Sequence, residues 1–113
     1  MDKYQLNFQK AAAVVEKLYH RRIKVPQPHE IDKIIDPATG NMLLYHDSWG
    51  EEHRTYGCYL HFKVKNDGKV WVKNEGTDYP VVDELLEIGI DPKDIVIAWH
   101  HPSARQYTEF AEG

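Results

Sequence analysis

A chain of 113 residues, 42% hydrophobic and 28% charged, is expected to form one globular domain spanning residues 1–113. The formal net charge of −4 argues against a dedicated nucleic-acid binder, whose affinity rests on basic side chains neutralising phosphates. No apolar run reaches the ~20 residues of a membrane span, and the start MDKYQLNFQK lacks a signal-like apolar region. The expected setting is therefore cytoplasmic, and the single cysteine, Cys58, excludes an internal disulfide and any multi-cysteine zinc site.

Residues 3–22 predict an amphipathic helix, with Tyr4, Phe8, Ala11, Val15 and Leu18 forming one apolar stripe. His20, Arg21, Arg22 and Lys24 at its end suit the negative pole of the helix dipole. Pro26 and Pro28 then break the helix and start an extended linker. Strands are predicted over 30–36 and 41–49, joined by a tight turn at Pro37-Ala38-Thr39-Gly40.

Alternation from Tyr56 to Val64 predicts a half-buried strand, with Tyr56, Cys58, Leu60, Phe62 and Val64 on the core side. Cys58 there reads as a small buried apolar residue. Tyr59, His61, Lys63 and Lys65 face the other way. The following Asn66-Asp67-Gly68 sets the register. A two-residue loop would place Lys69 and Lys73 on the apolar face. A three-residue loop with Gly68 left-handed pairs Lys65 with Lys69, Phe62 with Val72 and Val64 with Val70, and keeps that face apolar. The second choice is therefore preferred.

Gly76 and Thr77 end the fourth strand, and Thr77 or Asp78 is the expected cap of a short helix with Pro80 in its first turn. Val81, Val82, Leu85, Leu86 and Ile88 supply its apolar face, and Gly89 stops it. Asp91 caps a further turn, after which Ile95 to Trp99 predicts a buried fifth strand reached by a crossover. The expected fold is α+β: an N-terminal helix, a largely antiparallel sheet of about five strands, and a second helix before the last strand, both helices on one sheet face.

Chemistry is sparse. The seven histidines (His20, His29, His46, His53, His61, His100 and His101) show no metal-binding signature, although neighbouring strands could bring His61 and His100 together, with His46 as a third ligand. No motif frames Ser48, Ser103 or Cys58 as a nucleophile, and no Gly-rich phosphate loop is present. Catalytic, cofactor and metal residues are thus expected to be none. The candidate partner surface is Lys63, Lys65, Lys69, Trp71 and Lys73 on the outer hairpin face, with His100, Arg105 and Tyr107 from the polar tail. Tyr59 and Trp71 among lysines also suggest a stacking platform for single strands, and His100 with Arg105 a small hydrolase or nuclease site.

Read in order, Trp49, Arg54, Tyr56-Gly57-Cys58, His61, Asp67-Gly68-Lys69, Trp71 and Gly76-Thr77 form a pattern. It continues through Glu84-Leu85, Gly89-Ile90, Pro92-Lys93-Asp94-Ile95-Val96, His100, Pro102, Arg105, Thr108 and Phe110-Ala111. The pattern, over about residues 42–111, resembles the XisI family of fdxN-element excision controlling factors. Trp49, Arg54, Gly57, Cys58, His61, Gly76, Thr77 and Pro102 stand out as its structural positions. Departures are Ser48 where the family commonly has glycine, and Ala98-Trp99 where Gly-Phe is usual.

The resemblance implies a cyanobacterial accessory protein in the excision of a DNA element that interrupts nitrogen-fixation genes, a heterocyst rearrangement. A separate recombinase does the strand chemistry there, and a nuclease-like second controlling factor, XisH, is the implied partner. No catalytic residues are assigned in the family, so none carry over. DNA contact is expected to be indirect or weak, and open sheet edges leave room for a homodimer.

Overall fold

A computed structural model describes residues 1–23, 29–76 and 80–113. Asp2 opens the first helix with a reciprocal cap: its carboxylate accepts from the Gln5 amide at 2.8 Å, and the Gln5 side chain accepts from the Asp2 amide at 3.3 Å. Helix α1 runs Lys3–Ile23, and its predicted stripe is inward, with Ala11, Val15 and Leu18 buried and Tyr4 and Phe8 packed against them. Four strands follow as a meander, β1 (His29–Asp36), β2 (Asn41–Trp49), β3 (Arg54–Val64) and β4 (Val70–Glu75). Helix α2 (Val81–Glu87) then leads to β5 (Ile95–Ile97), which lies parallel beside β4 in the order β1-β2-β3-β4-β5. The predicted linker at Pro26 and Pro28 and the predicted cap at Thr77 or Asp78 lie outside the described residues.

One face of this sheet meets both helices. Met42, Leu44, Leu60, Phe62, Val64, Val70, Val72, Ile95 and Ile97 form a single core with α1 and with Val81 and Leu85 of α2. Each fully buried aliphatic or aromatic side chain there contributes about 1.5–3 kcal/mol. Lys17 and Glu84, 2.9 Å apart, bridge the two helices at the surface.

The hairpin register is the predicted one. Lys65 donates its amide to the Lys69 carbonyl at 3.0 Å, Phe62 pairs with Val72 and Val64 with Val70, and Gly68 has φ +88°. The start of α1 fastens this turn. Buried Asn7 donates its side-chain amide to the Gly68 carbonyl at 2.8 Å, and Lys3 forms an ion pair with Asp94 at 2.6 Å. Tyr4 donates its hydroxyl to the Pro37 carbonyl at 3.1 Å, so one helical turn holds both hairpin loops. In the β1–β2 loop, Gly40 has φ +78°, and a Cβ there would lie 2.1 Å from the Val64 carbonyl oxygen.

Three expectations need correction. The alternation of β3 breaks at a bulge: Leu44 pairs with Leu60 but Tyr45 pairs with Cys58, leaving Tyr59 as the extra residue. Tyr59 and Leu60 are consequently both buried, while Tyr56 is 63% exposed and Cys58 stays outside the core. The freed carbonyls are satisfied, Cys58 by the Asn74 side chain at 2.9 Å and Tyr59 by the Gly76 amide at 2.6 Å. The fifth strand is shorter than predicted, because after the Ala98 amide bonds the Val72 carbonyl, His100 turns back onto Ile97. Pro80 stands just before the first turn of α2 rather than inside it.

Candidate interaction surface

Beyond β5 the chain makes a 3-10 turn at Pro102–Tyr107, capped by His101, whose ring nitrogen accepts from the Ser103 amide at 3.2 Å. From that turn Arg105 reaches back. Its guanidinium donates to the carbonyls of Ala98, His100 and Glu112, each at 3.1 Å. Its carbon Cζ also lies 5.2 Å from the centre of the Trp71 ring. The Ala111 amide bonds the Ile95 carbonyl at 2.8 Å, so the tail follows the free edge of β5.

The consequence falls on the face of the sheet away from the helices. Trp71 and its neighbour Val96 lie on that face, yet Val96 is fully buried and Trp71 half-buried. Lys65 places its ammonium 3.6 Å from the indole centre, a cation–π contact, and Lys69 donates to the Gly113 carbonyl. Two cations and the chain's own tail therefore occupy Trp71. Since Tyr59 is buried as well, the two aromatics of the suggested stacking platform do not stand together on an open face.

The remaining candidates are scattered around this patch. Lys63 is half-buried and level with Trp71, whereas Lys73 is exposed at a second irregularity, between Val72 and Asn74. His100 is half-buried in the turn, and Tyr107 is 84% exposed. His61 lies on the outer face, where its Nε2 meets the Asn41 side-chain oxygen Oδ1 at 2.8 Å. His46 lies on the inner face, its ring 4.0 Å from that of Tyr59, so the two histidines do not converge. Among the described residues, no group of three His, Cys, Asp or Glu side chains is placed to hold a metal ion.

Titration is modestly perturbed. Burial lowers the His61 pKa, with Lys73 and Lys63 adding to the effect, so the ring favours its neutral form. Burial raises the Cys58 pKa, which keeps the thiol protonated and a poor nucleophile. Glu75 is also raised, by burial and then by Asp83.

The motif positions show what they do locally. Arg54 grips one oxygen of Asp47 through Nε at 3.1 Å and Nη2 at 2.8 Å, and lies 4.6 Å over the Tyr56 ring. Trp49 pairs with Arg54 at the end of the β2–β3 ribbon and is 64% exposed. Gly76 approaches Tyr59 across the bulge, where an added Cβ would sit 3.3 Å from the Tyr59 oxygen. Pro102 starts the 3-10 turn, and Thr77 is outside the described residues. Sequence reasoning missed Asn7, the Asp2–Gln5 cap and the Tyr59 bulge; only the cap had a signal, the D-x-x-Q spacing.

A helix-backed, mostly antiparallel α+β sheet, closed at one edge by its own tail, defines a small architecture. Its family is equally specific. Residues 1–112 match the model of the XisI protein family, and the chain belongs to that family. It is similar to the crystal structure of the fdxN element excision controlling factor XisI from Anabaena variabilis. The two are 30% identical with a TM-score of 0.84, over 99% of this chain and 100% of that one. A XisI-like protein from the same organism gives 25% identity and a TM-score of 0.81, over 97% and 98% of the two chains. No curated protein matched. Among the described residues, no helix is long and apolar enough to cross a membrane.

Proposed function

We propose that this chain is a cytoplasmic, non-catalytic controlling factor in site-specific excision of a DNA element, acting through a nuclease-like partner of the XisH kind. The observation that carries this reading is the end-to-end likeness to a protein named as an fdxN element excision controlling factor. The chemistry of the surface supports it: the Cys58 thiol is held protonated, and His46 and His61 point to opposite sides of the sheet. The proposed docking surface is the tail and the lysines beside it. Tyr107 is its exposed aromatic anchor, Lys63 and Lys73 are its charged rim, and Arg105 holds the tail in place.

Co-purification with an XisH-like factor tests the reading. The partner is expected to be captured by the intact chain and weakened about tenfold or more by Tyr107→Ala, the scale of an aromatic hot spot. No capture by the intact, folded chain sinks the proposal. A steep salt-dependent affinity for DNA, lost when Lys63, Lys65, Lys69 and Lys73 are replaced, would instead favour direct nucleic-acid binding.

A further inference from the structure

The half of the outer face formed by β1, β2 and the first part of β3 has no described element laid across it. Ile34, Leu43 and Tyr45 run down its middle, and Tyr56 and Trp49 extend it to the ribbon end. Ile34 is 46% exposed, Tyr56 63% and Trp49 64%. Three strands about 4.8 Å apart, each with about eight residues at about 3.3 Å, give a flat footprint of about 400 Å². That lies in the range of about 300–600 Å² at which a patch on a monomer is often functional. With side-chain relief and a charged rim it approaches the roughly 800 Å² per partner of a standard interface.

The charges on this face are ordered across the strands. Asp32 and Asp36 on β1 share it with Tyr45 and Asn41, the residues they pair with. On the opposite side, Lys63 of β3 pairs with Asn41, on the level of Asp36. The middle is close to neutral, because Arg54 bridges Asp47 at 2.8 Å. A two-fold axis lying in the interface along β2 exchanges left and right when two such faces meet. It sets the acidic strand of each copy over the basic strand of the other and brings the apolar middles together. Aligned sheets at about −30° pack in this manner.

We infer that the β1–β2–β3 outer face is the interface of a two-fold homodimer, a second copy of this chain covering the aromatic ribbon. The inference goes beyond the partner reading above and does not depend on it. Self-complementary charge selects the occupant, since one patch supplies both signs in the arrangement an isologous contact needs.

Sedimentation equilibrium on the full chain over a concentration series tests it, with circular dichroism as a check on folding. The unmodified chain is expected to dimerise, and Trp49→Glu to weaken self-association at least about 30-fold, because Trp49, at the end of β2, would meet its own copy on the two-fold axis. Tyr56→Glu, at an equally exposed position, repeats the test should the first variant misfold. Asp36→Lys and Lys63→Glu, which the two-fold axis sets over one another because both are level with Asn41, are each expected to weaken the dimer, and the two together to recover part of the loss. A chain that sediments as a monomer at every concentration overturns the inference. So does a dimer indifferent to both Trp49→Glu and Tyr56→Glu. If the unmodified chain is monomeric and Trp49→Glu abolishes capture of the nuclease-like factor, the face belongs to that protein and the homodimer is wrong.

Discussion

The outer face of the sheet has two halves that differ in what lies on them. Over β4 and β5, the tail returns, Arg105 gathers three carbonyls, and Trp71 and Val96 are taken largely out of water. Over β1 to β3, Ile34, Tyr56 and Trp49 stand exposed on strands of similar composition. The hydrophobic effect acts equally on both. What differs is whether the chain itself supplies a cover, and that is decided by one guanidinium and the length of a 3-10 turn. The second half, left open, is where another molecule gains most by binding.

The largest effect is expected from removing the clamp. Arg105→Ala deletes three charge-assisted hydrogen bonds and the contact with Trp71 and should destabilise the fold by about 3 kcal/mol in denaturant unfolding. Arg105→Lys should recover little, because an ammonium cannot reproduce the planar fork. Unchanged stability in the alanine variant would mean that the tail is not held as described.

Truncating one apolar residue in each half gives the next contrast. Val96→Ala, at a fully buried site, should cost about 2 kcal/mol, while Ile34→Ala should stay within about 0.5 kcal/mol in the dilute protein. Equal costs would erase the distinction between the halves.

The smallest effect belongs to the boundary between them, at His61. Its folded-state pKa is lowered by burial and by Lys73 and Lys63, so the unfolded chain takes up that proton more readily. The His61 contribution is therefore present above the ordinary value of about 6.5 and is lost as pH falls through the depressed folded value. Titration of the ring by NMR should give an apparent pKa below that of a free histidine. His61→Gln should flatten that part of the stability profile, and a raised His61 pKa would contradict the burial described.

Much of the inner face was legible in the chain. The Asn66-Asp67-Gly68 loop was fixed by one requirement, that Phe62 and Val64 share a side with Val70 and Val72, and the observed pairs obey it. The stripe of α1 and the glycine stop after α2 followed from local spacing in the same way, Gly89 adopting φ +102°. The outer face was less legible. A bulge changes the parity of a strand, and the adjacent apolar pair Tyr59-Leu60 offers no polar residue to mark it, so simple alternation puts Tyr56 and Cys58 on the core side, whereas they lie on the outer face. Trp71 belongs to the predicted partner surface because alternation correctly places it on the outer face. Its occupation by Lys65 and Arg105 depends on contacts from distant parts of the chain, which periodicity does not report.

Residue-level oxidative footprinting, read by mass spectrometry across a dilution series, tests the division of the outer face most directly. At low concentration Trp49 and Tyr56 should be modified rapidly and Trp71 slowly, and raising the concentration should slow Trp49 and Tyr56 while leaving Trp71 unchanged. If Trp71 is instead modified as fast as Trp49 in the dilute protein, the tail does not cover its half and the account fails.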